Sequence, residues 1–386
     1  MKVLHVTTNY PSERHPAFGA FVHSQVESLR ERGVGCRVFF IDGRGNVLRY
    51  FAAWLRLLGH LLTHRYDILH AHHAIAGLLL CLTGAPLFSR CVLSYQNSPS
   101  REWGEFAFRL LYPFFRRIIL KAPDPDFPAQ GKVCVLPNGC PPELFRPMDR
   151  GECRRALALE ENAFYVLYID ANPRRAALGP KGQKREDRFD AVMDIVRERV
   201  SAGCMGAPAA SSPTAALSPA AAPKVYSLKL RDIPPEKMPL YYNAADLYLL
   251  TSDFEGSPNA VKECLMCNTP VVATPVGDLP FLADSVPGCH VCLSFGPEAL
   301  ADLVLEVFAG EAGLSASPDD LSSPLTRAAV SVGSPLSNAD APSHGQGSSR
   351  VCEQGEQSSR EAMLELGYGL DHAADRLLEL YQELVS

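Results

Sequence analysis

No stretch of this chain stays apolar for long enough to cross a bilayer. The longest, residues 74–88, is interrupted by Gly84 and Pro86, whereas a spanning helix needs about 20 residues. The first ten residues carry little charge and a strand-sized apolar run, so they do not read as a secretory signal. A cytoplasmic protein, or one at the inner face of a membrane, is therefore expected. In that compartment the twelve cysteines should be reduced thiols. No G-x-G-x-x-G follows any candidate strand, which argues against a nicotinamide enzyme. No metal, no cofactor and no nucleic-acid partner is expected.

What is present suits a soluble globular protein. Of 386 residues, 47% are hydrophobic and 21% charged, and the length suggests two domains, each with its own core. The net charge of −6 hides an asymmetry, since residues 1–150 hold 18 Lys/Arg against 11 Asp/Glu. A basic first half suits an anionic acceptor or membrane surface; ordinary scatter is the competing reading. Cys264-x-x-Cys267 and Cys289-x-x-Cys292 approach zinc-ribbon spacing, but small buried thiols explain them as well.

The most informative stretch runs from Asn243 to Asp278. Leu247–Leu250 is an apolar run too short for a helix, and Val271–Thr274 is another; both read as buried strands. Between them Ser257 is an N-cap type and Pro258 suits the first helical position, and Asn268-Thr269-Pro270 ends the helix. Strand, helix, strand makes a right-handed parallel crossover whose ligands bind beyond the strands' carboxyl ends. The free amides after Ser257 would favour a phosphate. On a helical wheel Ala260, Val261, Cys264, Leu265 and Cys267 form the core-facing arc. Glu263 lies beside that arc, roughly 7.5 Å along the axis from Pro258, which suits a ribose diol. Glu255, in the preceding loop, would face whatever the phosphates carry. Two solvated glutamates are the plain alternative.

This stretch resembles the retaining glycosyltransferases of family 4. Glu255 and Glu263 match their E-x7-E signature, set among Met238-Pro239-Leu240-Tyr241-Tyr242-Asn243-Ala244-Ala245-Asp246, Glu255-Gly256-Ser257-Pro258 and Thr269-Pro270-Val271-Val272-Ala273. The resemblance implies the GT-B fold, an α/β architecture of two doubly wound, Rossmann-like domains facing across a cleft. It also implies a UDP- or GDP-sugar donor as substrate and a glycan or lipid-linked acceptor. The donor site would comprise Glu263, Ser257, Pro258, Asn259, Gly256 and Gly19. The catalytic set would be Glu255, His72, Arg175 and Lys184, with Lys181 the second choice for the lysine.

Taken in order, Val3–Thr7 opens the first domain, and Gly19-Ala20-Phe21-Val22 resembles the family's glycine loop, in members that build bacterial surface polysaccharides. Leu48–Thr63 is an amphipathic helix carrying Arg49 and Arg56, fit to lie on a membrane or on its own sheet. Phe106–Lys121 has the same two readings. Asp67–Ala71 is a strand, and alternation puts His70 and His72 on one face; the wording around them resembles the family's cleft histidine at His72. Pro137-Asn138-Gly139 resembles the interdomain hinge. Between Arg117 and Lys132 the family's usual strand and helix are reduced to Ile118-Ile119-Leu120 and a proline-rich turn.

These readings give a first domain over residues 1–147, a nucleotide-sugar domain over 148–370, and a last helix over 371–386 that crosses back. Residues 201–223 and 310–360 are low-complexity insertions, the first where the family has a glycine-tipped strand. A nucleotide-sugar epimerase of the same fold and a non-catalytic binding protein remain as competing functions.

Overall fold

The structure, a computed structural model, describes residues 1–13, 15–43, 46–170, 182–203, 224–311 and 357–386. Two parallel sheets form its frame. The first contains β1 (Lys2–Thr7), β2 (Gly35–Phe40), β3 (Ile68–His72), β4 (Arg90–Ser94), β5 (Arg117–Leu120) and β6 (Val133–Val135) in the order β2-β1-β3-β4-β5-β6. The second contains β7 (Ala163–Ile169), β8 (Lys224–Leu230), β9 (Leu247–Leu250), β10 (Val271–Ala273) and β11 (Cys289–Val291) in the order β11-β10-β9-β7-β8. Strands buried on both faces explain why the sequence shows short continuous apolar runs rather than alternation.

Helices cover the first sheet on both sides. The helices α1 (Ala20–Glu31), α2 (Val47–Thr63), α3 (Ala74–Leu82), α4 (Pro99–Glu102) and α5 (Gly104–Leu111) follow in chain order. Ala53 and Leu57 of α2, Leu79 and Leu80 of α3, and Phe108 and Leu111 of α5 share one core with Leu4, Leu69 and Leu93 of the sheet. The opposite face carries α1. It also carries a helix returning from the far end of the chain, Leu370–Val385, whose Leu377 and Tyr381 bury against Val3, Val22 and Ile68.

Three local expectations are corrected. Phe106–Lys121 is not one amphipathic element: Pro113 cannot continue α5, so a 3-10 turn at Tyr112–Phe114 intervenes before β5. Beyond residues 204–223, which hold the place of the family's glycine-tipped strand and lie outside the described residues, an unanticipated strand β8 pairs in parallel with β7 from Ala163↔Lys224 to Ile169↔Leu230. Its run Lys224–Leu230 mixes polar and apolar residues without strict alternation, directly beyond the low-complexity stretch, and was passed over. Finally, Ser358 and Glu361 form a capping box that starts a helix at Ser359, inside the stretch read as structureless. The cysteine pairs pack as core thiols, and burial pushes Cys267 and Cys289 up to about 12.

Candidate active site

The carboxyl ends of both sheets open onto one cavity of about 360 Å³ between the domains. Its centrepiece is the helix Asn259–Met266, called the site helix below. Residue 258 is its N-cap, with no side-chain cap bond. The amides of the first turn are therefore not met by a capping side chain, and Ser257, Pro258, Asn259 and Ala260 all line the cavity. Unmet N–H groups and the positive end of the helix dipole make such a turn a site for an anion.

Ser257 does not cap this helix. Its hydroxyl donates to Asp278 Oδ2 at 2.5 Å, and Pro258 takes the cap position, so the helix starts one residue later than the sequence suggests. Burial raises the Asp278 carboxyl, partly offset by the Lys262 ammonium and by Ser257. The inner arc also differs, because Lys262 is buried and Ala260 faces the cavity. The Lys262 stem runs through the interior and its Nζ donates to the Asn138 carbonyl at 2.7 Å, tying the site helix to the segment that joins the domains. A lysine that long can bury its stem while its head finds a polar partner.

Glu263 and Glu255 both line the cavity. Tyr242 donates its hydroxyl to Glu263 Oε2 at 2.5 Å. Burial raises the Glu263 carboxyl, with Tyr242 and Lys262 opposing that shift. Glu255 Oε1 accepts from Lys184 Nζ at 2.6 Å and from Ser252 Oγ at 2.8 Å. Lys184 thus stands in the cavity beside the glutamate, on the segment before a helix at Glu186–Ser201. Arg175 and Lys181 lie outside the described residues.

At Gly256 the second domain approaches the first closely. A Cβ there would sit 2.1 Å from the Gln96 carbonyl oxygen of the first domain, so only glycine permits the approach. Gly19 has a similar restriction but a different neighbour: its φ is +75° and a Cβ would meet the Asn9 backbone at 2.4 Å. Gly19 itself is not among the lining residues; Ala17, Ala20 and Phe21 around it are.

His72 is placed away from the cavity. It is fully buried with His5 and His70 on the sheet face under the returning helix. His5 Nδ1 and His72 Nε2 are 3.1 Å apart, and His70 Nε2 bonds Ser94 Oγ at 2.7 Å while its Nδ1 bonds the Tyr381 hydroxyl. Burial lowers all three imidazoles, His5 to about 3. One nitrogen from each lies within 4.8 Å of the others, a group able to hold a metal ion. Both His70 nitrogens already have partners, so the geometry is that of a polar anchor for the returning helix.

The histidine in the cavity is His73, one residue on. The backbone turns there at φ 76°, swinging the side chain out of the strand's alternation. Its Nε2 lies 2.7 Å from Asn9 Nδ2, and its Nδ1 lies 3.6 Å from Glu102 Oε1. Asn9, Ser24, Gln96, Asn97, Asn138, Arg231 and Asp232 add to the polar lining. The sequence reading missed these as site residues, although Asn138 stands in the hinge stretch it had singled out. An Asp-x-Asp tripeptide, Asp124-Pro125-Asp126, was also passed over; it forms a turn in which the Asp126 amide donates to Asp124 Oδ1 at 3.0 Å.

Residues 184–309 match the family model described as Glycosyl transferases group 1. A D-inositol 3-phosphate glycosyltransferase of Streptosporangium roseum is 26% identical over 255 residues, 59% of this chain and 58% of its own length. One from Actinosynnema mirum is 31% identical over 169 residues, 42% of this chain and 40% of its own length. The chain thus spans less than two thirds of these relatives. Among solved structures, sucrose-phosphate synthase (tll1590) from Thermosynechococcus elongatus aligns with a TM-score of 0.63 at 15% identity, over 100% of this chain and 99% of that one. Anabaena Alr3699/HepE in complex with UDP-glucose aligns at 0.59 and 13%, over 99% and 100%. At such identities the likeness concerns architecture, and the architecture of this chain is GT-B, two Rossmann-like α/β domains of parallel sheet.

Proposed function

We propose that this chain is a retaining glycosyltransferase that moves a sugar from a UDP- or GDP-sugar to a hydroxyl of a glycan or lipid-linked acceptor, in the building of a surface polysaccharide. The observation that carries the reading is the cavity itself: uncapped helix amides, Lys184, Glu255 and Glu263 converge in it, inside the segment that matches group 1 glycosyl transferases. Structural neighbours solved with UDP-glucose and with ADP favour a nucleotide-sugar donor.

In this reading the diphosphate lies against the first turn of the site helix. Glu263, oriented by Tyr242, holds the ribose. Lys184 exchanges its bond to Glu255 for one to the leaving phosphate, and Arg175 adds a second cation. Glu255 is then released towards the sugar, where positive charge develops as the bond to the diphosphate breaks, as in glycosidases. His73 takes the cleft position assigned from sequence to His72. The leaving group is stabilised by cations and amides fixed in a walled cavity, where they act more strongly than in water.

Thermal shift with UDP- and GDP-sugars tests the donor, since a ligand at 100 times its dissociation constant adds about 2.7 kcal/mol. Product analysis with donor alone and with acceptor tests the reaction. Conversion of the donor sugar without any acceptor would favour an epimerase, and binding without turnover would favour a binding protein.

A further inference from the structure

We propose that the outward face of α2, α3 and α5 docks this protein on an anionic lipid bilayer. The inner faces of these three helices fill the same core, so their outer faces point away from the sheet together. On α2, Leu48, Phe51, Leu55 and Leu62 are 72%, 57%, 49% and 79% exposed. At 100° per residue they fall within an arc of about 60°, a continuous stripe along the helix. Phe106 and Leu110, one turn apart on α5, are exposed as well, as are Leu82 at the end of α3 and Phe88 beyond it. Monomeric proteins rarely leave so many large apolar side chains together in water. Among the described residues, no helix is long and apolar enough to cross a membrane, so the face lies on a bilayer and does not enter one as a span.

Charge decides between a lipid surface and a second protein. Residues 43–123 contain ten Lys/Arg and three Asp/Glu. Of the three acids, Glu102 is buried among the amides of Ala74, Gln96 and Asn97 and Glu105 is paired with Arg109, which leaves the surplus positive. Arg49 and Arg56 are exposed on the far side of the small residues Ala52 and Gly59 from the apolar stripe. Large apolar residues bordered by arginines, in a segment with a surplus of seven positive charges, match a helix that rests at the headgroup level.

The face also reaches the cleft. Arg101, just before α5, stacks over Phe254 at 5.2 Å, and Ser98 and Pro99 line a second cavity of about 220 Å³ that shares Glu255 and Gly256 with the first. A docked protein would therefore present that cavity beside the bilayer, which selects a lipid-linked acceptor over a free glycan; this last step rests on the glycosyltransferase reading.

The test is co-flotation of the full chain with vesicles of phosphatidylcholine alone or mixed with phosphatidylglycerol. The wild type should float with anionic vesicles and be released by salt. Phe51→Ser/Leu55→Ser/Phe106→Ser, all at exposed positions, should lower partition at least about tenfold. Arg49→Gln/Arg56→Gln should cost about fivefold per charge. Equal recovery from both vesicle types at low salt overturns the proposal. So does a stable dimer in solution that the serine variant splits, because a second copy would then own the face. Thermal shift with the sugar nucleotide should be the same for all variants, so failure of docking is told apart from failure of the donor reading.

Discussion

At the scale of single residues, the two glutamates have different surroundings and should fail differently. Glu263 holds a tyrosine hydroxyl at the cavity wall and would meet the ribose alike in ground and transition states. Glu263→Gln should raise KM for the donor, losing about 1.5–3 kcal/mol of charge-assisted bonding, with kcat little changed. Tyr242→Phe should move the same constant in the same direction by less. Glu255 is paired with Lys184 and in the proposed reaction would face developing charge, so Glu255→Gln should depress kcat at saturating donor while diphosphate affinity persists. Steady-state kinetics with a nucleotide diphosphate competition assay separates the cases. Weakened nucleotide binding in Glu255→Gln, with Glu263→Gln spared, would reverse the two assignments.

At the scale of elements, the site helix and the loop before it work only if the domains approach closely. Gly256→Ala drives a methyl into the Gln96 carbonyl, and one side must withdraw. Displacement near 1 Å at a reacting centre can cost on the order of 100-fold, so kcat/KM should fall by at least about tenfold. Each domain keeps its own core, so the melting temperature should move little; a large loss of stability would show that the contact is structural. The legibility of this element from sequence was uneven. Its existence, between two apolar runs and before Asn268-Thr269-Pro270, could be read directly. Its cap could not, because Asp278, twenty-one residues away, takes the Ser257 hydroxyl.

At the scale of the whole molecule, the returning helix fastens the end of the chain to the first domain through buried histidines. Tyr381→Phe strands a ring nitrogen of His70 in the interior and should cost about 1–3 kcal/mol by urea unfolding. The same cluster predicts acid lability. His5, His70 and His72 are all depressed when folded, His5 to about 3, while unfolded imidazoles titrate near 6.5. Below about pH 6.5 the unfolded chain binds more protons, so stability is complete above that value and falls as pH drops. Each histidine contributes a slope of up to about 1.4 kcal/mol per pH unit. Urea midpoints at about pH 7 and pH 5 should differ clearly, and a flat profile over that range would show that the cluster is open to protons.

Local patterning was enough for the strand–loop–helix–strand unit around Glu255 and Glu263 and for the amphipathic character of α2, while the pair of parallel-sheet domains followed from chain length and from the family resemblance. The physical reason is that strand length, proline placement and apolar periodicity act over a few residues. Alignment of His72 with the cleft histidine shows the limit of such reasoning. Alternation correctly grouped His70 with His72, yet which face of β3 lies under the returning helix depends on Tyr381, more than 300 residues away. The positive φ at His73, the burial of Lys262 against Asn138 and the need for glycine opposite Gln96 arise in the same way. They are set by what another domain or a distant helix brings to within a few ångströms, which only the folded chain decides.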